Sequence, residues 1–224
     1  MKTIRLENLS RVYGRSFALH RINTEFKSGE LSVLLGHNGA GKTTLMNILA
    51  TVDRPTSGKI TYDKIPFAKF AKKHRNEIGW VSHDALLYND LSGRENLVFF
   101  ATMYGVDPKV VDEWLKRVDL EKASNDRVAS YSRGMRQRIS IARAMIQNPS
   151  IVLLDEPLTG LDPQSRKNML KIFNKLKKEG KILIMITHDV SIGEEYFDRV
   201  LMLKAGKIVY DGKSTLTDIV TEFT

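Results

Sequence analysis

An α/β fold built on a mostly parallel sheet is predicted by this sequence on three observations. An apolar run, Leu31–Leu35, enters the glycine-rich stretch Gly36–Gly41 and emerges as a helical segment, Lys42–Ala50. Two further strand-like runs, Ile151–Leu154 and Lys181–Thr187, are separated by an amphipathic stretch at Arg166–Glu179, the strand–helix–strand rhythm that parallel pairing demands. From Gly93 to about Pro149, apolar residues recur at helical spacing.

The remaining elements follow from local pattern. Ile4 and Leu6 alternate with polar neighbours, and Phe17–Phe26 is β-like and closed by the turn Lys27-Ser28-Gly29-Glu30, so an antiparallel β subdomain opens the chain. Ile78–Ser82 reads as another strand. In the helical stretch, Leu97, Phe100, Ala101 and Tyr104 share one apolar face and Trp114, Leu115 and Val118 another, which places a helical subdomain at about 85–148. Val200–Leu203 and Lys207–Tyr210 flank Lys204-Ala205-Gly206 as a hairpin. With 224 residues and no linker, repeat or low-complexity tract, one domain over 1–224 is expected.

Composition narrows the functional classes. At 42% hydrophobic and 27% charged residues, the chain is neither disordered nor fibrous. Its longest apolar runs are strand-sized, well short of the roughly 20 residues that cross a bilayer as a helix. The N-terminal Met-Lys-Thr-Ile-Arg-Leu-Glu-Asn puts charge where a signal peptide needs an apolar segment, and there is no cysteine for a disulfide, so a cytoplasmic location is expected. The net charge of +9 gathers at Lys64–Arg75 and Arg166–Lys181. Such charge could draw an anionic membrane face or nucleic acid. Apolar residues interleaved at helical spacing make solvated helix faces the simpler reading.

Gly36-His37-Asn38-Gly39-Ala40-Gly41-Lys42-Thr43 fits the phosphate-binding P-loop pattern G-x-x-x-x-G-K-[ST] between a strand and a helix. Its glycines let successive N–H groups converge on phosphate oxygens, and the following helix adds its positive end. In such a site Lys42 reaches the β- and γ-phosphates, Thr43 offers a hydroxyl to Mg²⁺ and Thr44 supports the α-phosphate side. The core is therefore expected to be that of a P-loop NTPase. The strand Ile151–Leu154 ends in Asp155 and Glu156. Asp155 suits the outer shell of Mg²⁺, and Glu156 is placed to take a proton from an attacking water. Two acids at a strand end can also be plain surface charges.

The segment Tyr131-Ser132-Arg133-Gly134-Met135-Arg136-Gln137-Arg138 resembles the signature motif of ABC ATPases, usually written LSGGQ, with Tyr131 in place of the leucine. The resemblance extends over essentially the whole chain: Tyr13 matches the family's adenine-stacking aromatic, the P-loop and the Walker B acids fall in family order, and Thr159-Gly160-Leu161-Asp162 and His188 match its D-loop and switch histidine. It implies ATP and Mg²⁺ as ligands, His188 against the γ-phosphate, and a head-to-tail dimer with a second copy or a homologous subunit. Each ATP then lies between one P-loop and the partner's Ser132 and Gly134. By residue chemistry alone, Ser132 is as well explained as a local helix cap, His188 as structural and Tyr13 as packing.

The resemblance further implies the motor of a transporter, peripheral on the inner face of the cell membrane through separate transmembrane permease subunits, with no nucleic acid as partner. A soluble family member acting in translation, DNA maintenance or cofactor assembly is the alternative. His83 stands where most members carry a glutamine, and together with Ser-Arg-Gly-Met in the signature it resembles the ATPase subunits of haem exporters in cytochrome c maturation, a pair of features shared by the ATPases of other small bacterial exporters; the resemblance favours export. His83→Gln is expected to keep much of the ATPase activity and His83→Ala to lose most of it. The pH–rate profile of the His form should differ from that of the Gln form, since only imidazole titrates between about pH 5 and 8. Identical profiles in all three proteins would remove His83 from the site.

Overall fold

The alternating N-terminal residues pair as expected in the computed structural model, which describes residues 1–82, 86–189, 192–213 and 215–223, without the side chains of Glu194, Val220 and Phe223. Strands β1 (Thr3–Tyr13) and β2 (Ser16–Lys27) run antiparallel from Thr3 opposite Lys27 to Tyr13 opposite Ser16. The inward side chains, Ile4, Leu6, Leu9, Leu19, Ile22 and Phe26, are buried. Strands β4 (Ser57–Tyr62) and β5 (Ile65–Pro66) extend this sheet in the order β2-β1-β4-β5. Neither is foreseen by the sequence reading, because Ser57-Gly58-Lys59 is exposed and polar and only Ile60 and Tyr62 face inward.

The second sheet contains β3 (Leu31–Leu35), β6 (Ile78–Val81), β7 (Ile151–Asp155), β8 (Ile182–Ile186), β9 (Arg199–Lys204) and β10 (Lys207–Gly212), in the order β10-β9-β3-β8-β7-β6. Every pairing is parallel except the β9–β10 hairpin. Its central strands are covered on both faces, which is why they read as unbroken apolar runs. Leu34, Leu153, Ile184 and Ile186 pack with α1 (Lys42–Leu49) and the antiparallel sheet. Val33, Leu35, Val152, Leu154 and Met185 face the helical side of the molecule.

On that side lie α3 (Gly93–Met103), α4 (Val110–Arg117), α5 (Arg133–Met145) and α6 (Pro163–Lys178). The short α2 (Phe67–Lys73) packs on the antiparallel sheet, and α7 (Leu216–Phe223) closes the chain. Helix α6 begins before the expected Arg166, because Asp162 caps it by accepting from Ser165 N–H at 2.9 Å and Pro163 occupies its first position. Tyr104, expected on the buried face of α3, is 40% exposed. It falls at the helix C-cap, where the ring leans on Phe100 at 6.3 Å between centroids instead of entering the core.

The helical segment is fastened to the parallel sheet at its open edge. Strand β6 is the last in the sheet, so its outer carbonyls need partners other than a strand. Gln147 Nε2 donates to Ile78 O at 2.8 Å and Arg143 Nη2 to Trp80 O at 3.1 Å. Arg143 is 7% exposed and also lies over the Phe100 ring, 5.3 Å from its centroid, so one side chain joins α3, α5 and β6.

Tyr131, which replaces the signature leucine, is 2% exposed, and its hydroxyl donates to Ala123 O at 2.7 Å. The hydroxyl fits because residue 93 is glycine: a Cβ there would collide with it. Gly93→Ala should therefore destabilise the protein by about 1–3 kcal/mol, the usual cost of overpacking. In a Tyr131→Leu background the same alanine should cost far less, a coupling that a double-mutant cycle of thermal or urea unfolding will read.

Candidate functional site

Strands β3, β8 and β7 are neighbours in parallel register, with Leu34 opposite Ile186 and Asp155 opposite Ile186. Their C-terminal ends are therefore level, the place where open α/β sheets carry ligand sites. The P-loop leaves β3 at this edge, and two of its glycines are required by close packing. A Cβ on Gly36 (φ 145°) would strike Leu203 O, and one on Gly41 (φ 104°) would strike Ala18 O. The loop is thus pinned between β9 and β2, while His37, Asn38 and Gly39 at its tip are exposed. Gly41 is the N-cap of α1, so the first amides of that helix point out of the loop without intrahelical partners.

Lys42 is only 7% exposed, and its ammonium donates to Gly36 O at 2.6 Å and His37 O at 3.0 Å across the loop. Burial pulls its pKa down, and the carboxylates of Glu156 and Asp155 oppose that shift. Lys42 lines a cleft of about 550 Å³ together with Asn38, Thr43, Asp155, Glu156, Ile186 and His188. One cation, one hydroxyl, two carboxylates and an imidazole therefore converge from the ends of three strands.

Glu156 takes a left-handed backbone (φ 53°), with its N–H donating to Ile186 O at 3.0 Å. For a residue other than glycine this conformation costs about 1–2 kcal/mol. It turns the chain out of β7 immediately after Asp155. Both carboxylate oxygens of Glu156 are then engaged: His188 Nε2 lies 3.2 Å from Oε1, and Thr159 Oγ1 donates to Oε2 at 2.9 Å. Thr159 stands in the segment that resembles the D-loop, and the three-residue spacing within a turn is the only local signal for its contact with Glu156. Asp189, beside His188, is ion-paired with Arg166 in the first turn of α6.

Other expected site residues stand apart from the cleft. Tyr13, at the end of β1, is 48% exposed. Its hydroxyl donates to Asp53 Oδ2 at 2.5 Å, and the Arg11 guanidinium lies 4.4 Å from the ring centroid. Burial works to raise the Asp53 pKa, but the Tyr13 hydroxyl, the Arg54 amide and Arg11 together hold it below the usual carboxylate range. Ser132 caps α5 by accepting from Met135 N–H at 3.2 Å, as its sequence context suggests, and remains exposed. Gly134 packs beside Gly160 and Leu161, and Ser132 and Gly134 do not line the cleft. His83 lies outside the described residues. Thr44 is half-buried and Ala40 buried.

The donor set fits a small hard cation. Thr43 and Asp155 offer oxygen ligands on one cleft, which suits an ion that keeps several waters and takes its other ligands from substrate phosphates.

A family model described as "ABC transporter" matches residues 19–159. The linearmycin resistance ATP-binding protein LnrL of Bacillus subtilis is 32% identical over 216 residues, covering 95% of this chain and 70% of that one. The lantibiotic transport ATP-binding protein SrtF of Streptococcus pyogenes is 31% identical over 220 residues, covering 96% of this chain and 95% of that one. Among solved structures, the ATP-binding cassette MJ0796, a dimer in a post-hydrolysis state bound to ADP and Pi, superposes with a TM-score of 0.86 at 29% identity, covering 94% of this chain and 98% of that one.

Because the Lys42 ammonium is held inside the loop curve and already satisfies two carbonyls, its removal leaves no other cation among the residues lining the cleft. Lys42→Ala is expected to weaken binding of a nucleoside triphosphate at least about tenfold, the worth of a charge-assisted contact. Calorimetric titration checks this; wild-type affinity would remove the phosphate-binding assignment.

Proposed function

The chain belongs to the ABC transporter family as one of its ATP-binding, ATP-hydrolysing cassettes, and from that premise we propose that it is the motor of an exporter, working as a head-to-tail dimer beneath separate membrane subunits. The observation that carries the dimer is the half-built site. The cleft gathers the P-loop, Asp155, Glu156 and His188, while Ser132 and Gly134 cap a helix outside it. A γ-phosphate held by Lys42 would leave an open flank, and a second chain's α5 N-terminus, with its cap and unpartnered amides, has the chemistry to close it.

In the proposed reaction, water oxygen attacks the γ-phosphorus, the bond to the β–γ bridging oxygen breaks, and ADP leaves with phosphate. Glu156 takes the water proton, His188 holds the same carboxylate and contacts the γ-phosphate, and Lys42 balances charge on the β- and γ-oxygens. His83 is assigned here to the glutamine's place near the attacking water. Mg²⁺, held through Thr43 and the shell of Asp155, would supply charge neutralisation at those same oxygens. Gly36, His37, Asn38, Gly39, Ala40 and Gly41 present backbone amides to the phosphates, Thr44 supports the α-phosphate side, and Tyr13 stacks on adenine.

Among the described residues no helix is long and apolar enough to cross a membrane. Partners from the membrane are supported by an exposed apolar patch in the helical segment. Leu86 is 59%, Tyr88 50%, Phe99 41% and Met103 56% exposed, and Tyr88 and Phe99 meet edge to face at 5.0 Å. Contiguous exposed aromatics of this kind mark interaction surfaces. The proposed location is the inner face of the membrane, through those subunits. For cargo, the relatives named for lantibiotic transport and linearmycin resistance support compounds of those kinds over haem.

Glu156→Gln keeps size and hydrogen bonding but removes basicity, so hydrolysis should fall by about 10²–10⁴. By light scattering this variant should be monomeric alone, dimeric with Mg-ATP and monomeric with Mg-ADP. Adding Ser132→Arg should abolish the ATP dimer. Normal hydrolysis, or a monomer at saturating ATP and high protein concentration, would rule out the shared site.

A further inference from the structure

Strand β1 ends at Tyr13, and its ring is fixed by Asp53, far along the sequence, and by Arg11 in the same strand. Tyr13 Oη donates to Asp53 Oδ2 at 2.5 Å. Arg11 grips both oxygens of that carboxylate, Nε to Oδ2 at 2.9 Å and Nη2 to Oδ1 at 2.8 Å, and its guanidinium carbon stands 4.4 Å from the centre of the Tyr13 ring. The Arg54 amide donates to Oδ1 at 2.7 Å. The side chains of Arg11 and Asp53 are mostly covered, at 24% and 20% exposure, whereas Tyr13 itself is 48% exposed.

We infer that Asp53 and Arg11 are positioning residues for nucleotide recognition: they hold Tyr13 with one ring face against the guanidinium and the other free to stack on a purine base. The inference rests on the reading of Tyr13 as the base-stacking residue. A tyrosine at the end of an exposed hairpin strand samples several rotamers, and ordering it on binding would cost affinity. Here the ring is ordered in advance by a hydrogen bond at its tip and a cation on its face.

The position of Asp53 adds a second consequence. The turn after α1 folds back on the helix, with Val52 and Asp53 N–H both donating to Asn47 O, at 2.9 and 3.1 Å. Lys42 at the first residue of α1 and Asp53 just past its last turn therefore belong to one rigid piece. Eight residues of helix span about 12 Å. The phosphate cation and the anchor of the base platform are thus set a fixed distance apart by the same helix, which favours a purine nucleotide over a bare triphosphate chain.

The test compares dissociation constants for Mg-ATP and for Mg-tripolyphosphate, which has no base, in the full chain and in Tyr13→Ala, Tyr13→Phe, Asp53→Ala and Arg11→Gln. Asp53→Ala and Tyr13→Ala should each weaken ATP about fivefold to tenfold, Tyr13→Phe and Arg11→Gln somewhat less, and tripolyphosphate should change by no more than about twofold, since only base contact is lost. In steady-state assays KM for ATP should rise more than kcat falls. If Asp53→Ala and Tyr13→Phe bind ATP like the wild type while Tyr13→Ala does not, the clamp is wrong and stacking stands. If Tyr13→Ala also binds ATP normally, the stacking reading itself fails. If tripolyphosphate weakens in step with ATP, Asp53 acts through the fold of the P-loop and the inference is overturned.

Discussion

The level register of β3, β8 and β7 is the constraint from which the rest of the site follows. Parallel strands need crossovers, and these crossovers return each strand to the sheet pointing the same way, so three separate sequence segments end side by side. Because Ile186 stands opposite both Leu34 and Asp155, the P-loop, the two acids and His188 leave the sheet at one height. A slip of one residue in β7 would turn Asp155, with Ile151 and Leu153, to the helical face and bury a carboxylate among Val33, Leu35 and Met185. The double burial of these strands makes such a slip costly, since their side chains pack on both faces.

The loops at that edge are held by backbone contacts that leave no freedom for larger residues. Gly206 N–H donates to Ala40 O at 3.0 Å and His20 N–H to Gly206 O at 2.8 Å, so the β9–β10 turn, β2 and the P-loop lock together. Glu156 reaches its place through a left-handed turn that glycine would adopt more easily. A glycine there would have no carboxylate, and the strain is offset by the bonds to His188 and Thr159.

The signature helix is carried by a different kind of contact. Between α5 and β6 the link is polar and close, with Gln147 and Arg143 on strand carbonyls and Gly79 admitting the helix backbone. Burial lowers the Arg143 pKa from its ordinary value, yet an arginine remains charged under these conditions. The strand that leads toward residue 83 and the helix that begins at Ser132 are therefore one mechanical unit. Gly134 and Arg133 rest on Gly160 of the D-loop, which continues into α6 and its ion pair with Asp189. The start of α5, the Thr159–Asp162 segment and the residues beside His188 are thus joined within a single chain.

Local pattern was enough to place the strands that carry chemistry and the motifs at their ends. Leu31–Leu35 matched β3 residue for residue, and Ser132 proved the cap of α5, because apolar periodicity and cap chemistry act over a few neighbouring residues. Short or half-exposed elements escaped it: β4 and β5 have too few inward residues to show a period, and the start of α6 was hidden behind Asp162 and Pro163. Contacts between distant segments had no local signature at all. Nothing near Tyr13 announces Asp53, and nothing near Tyr131 announces that Gly93 makes room for its hydroxyl. Those pairings arise when the sheets, α1 and the helical segment pack, since shape and charge complementarity across tens of residues exist only in the folded chain.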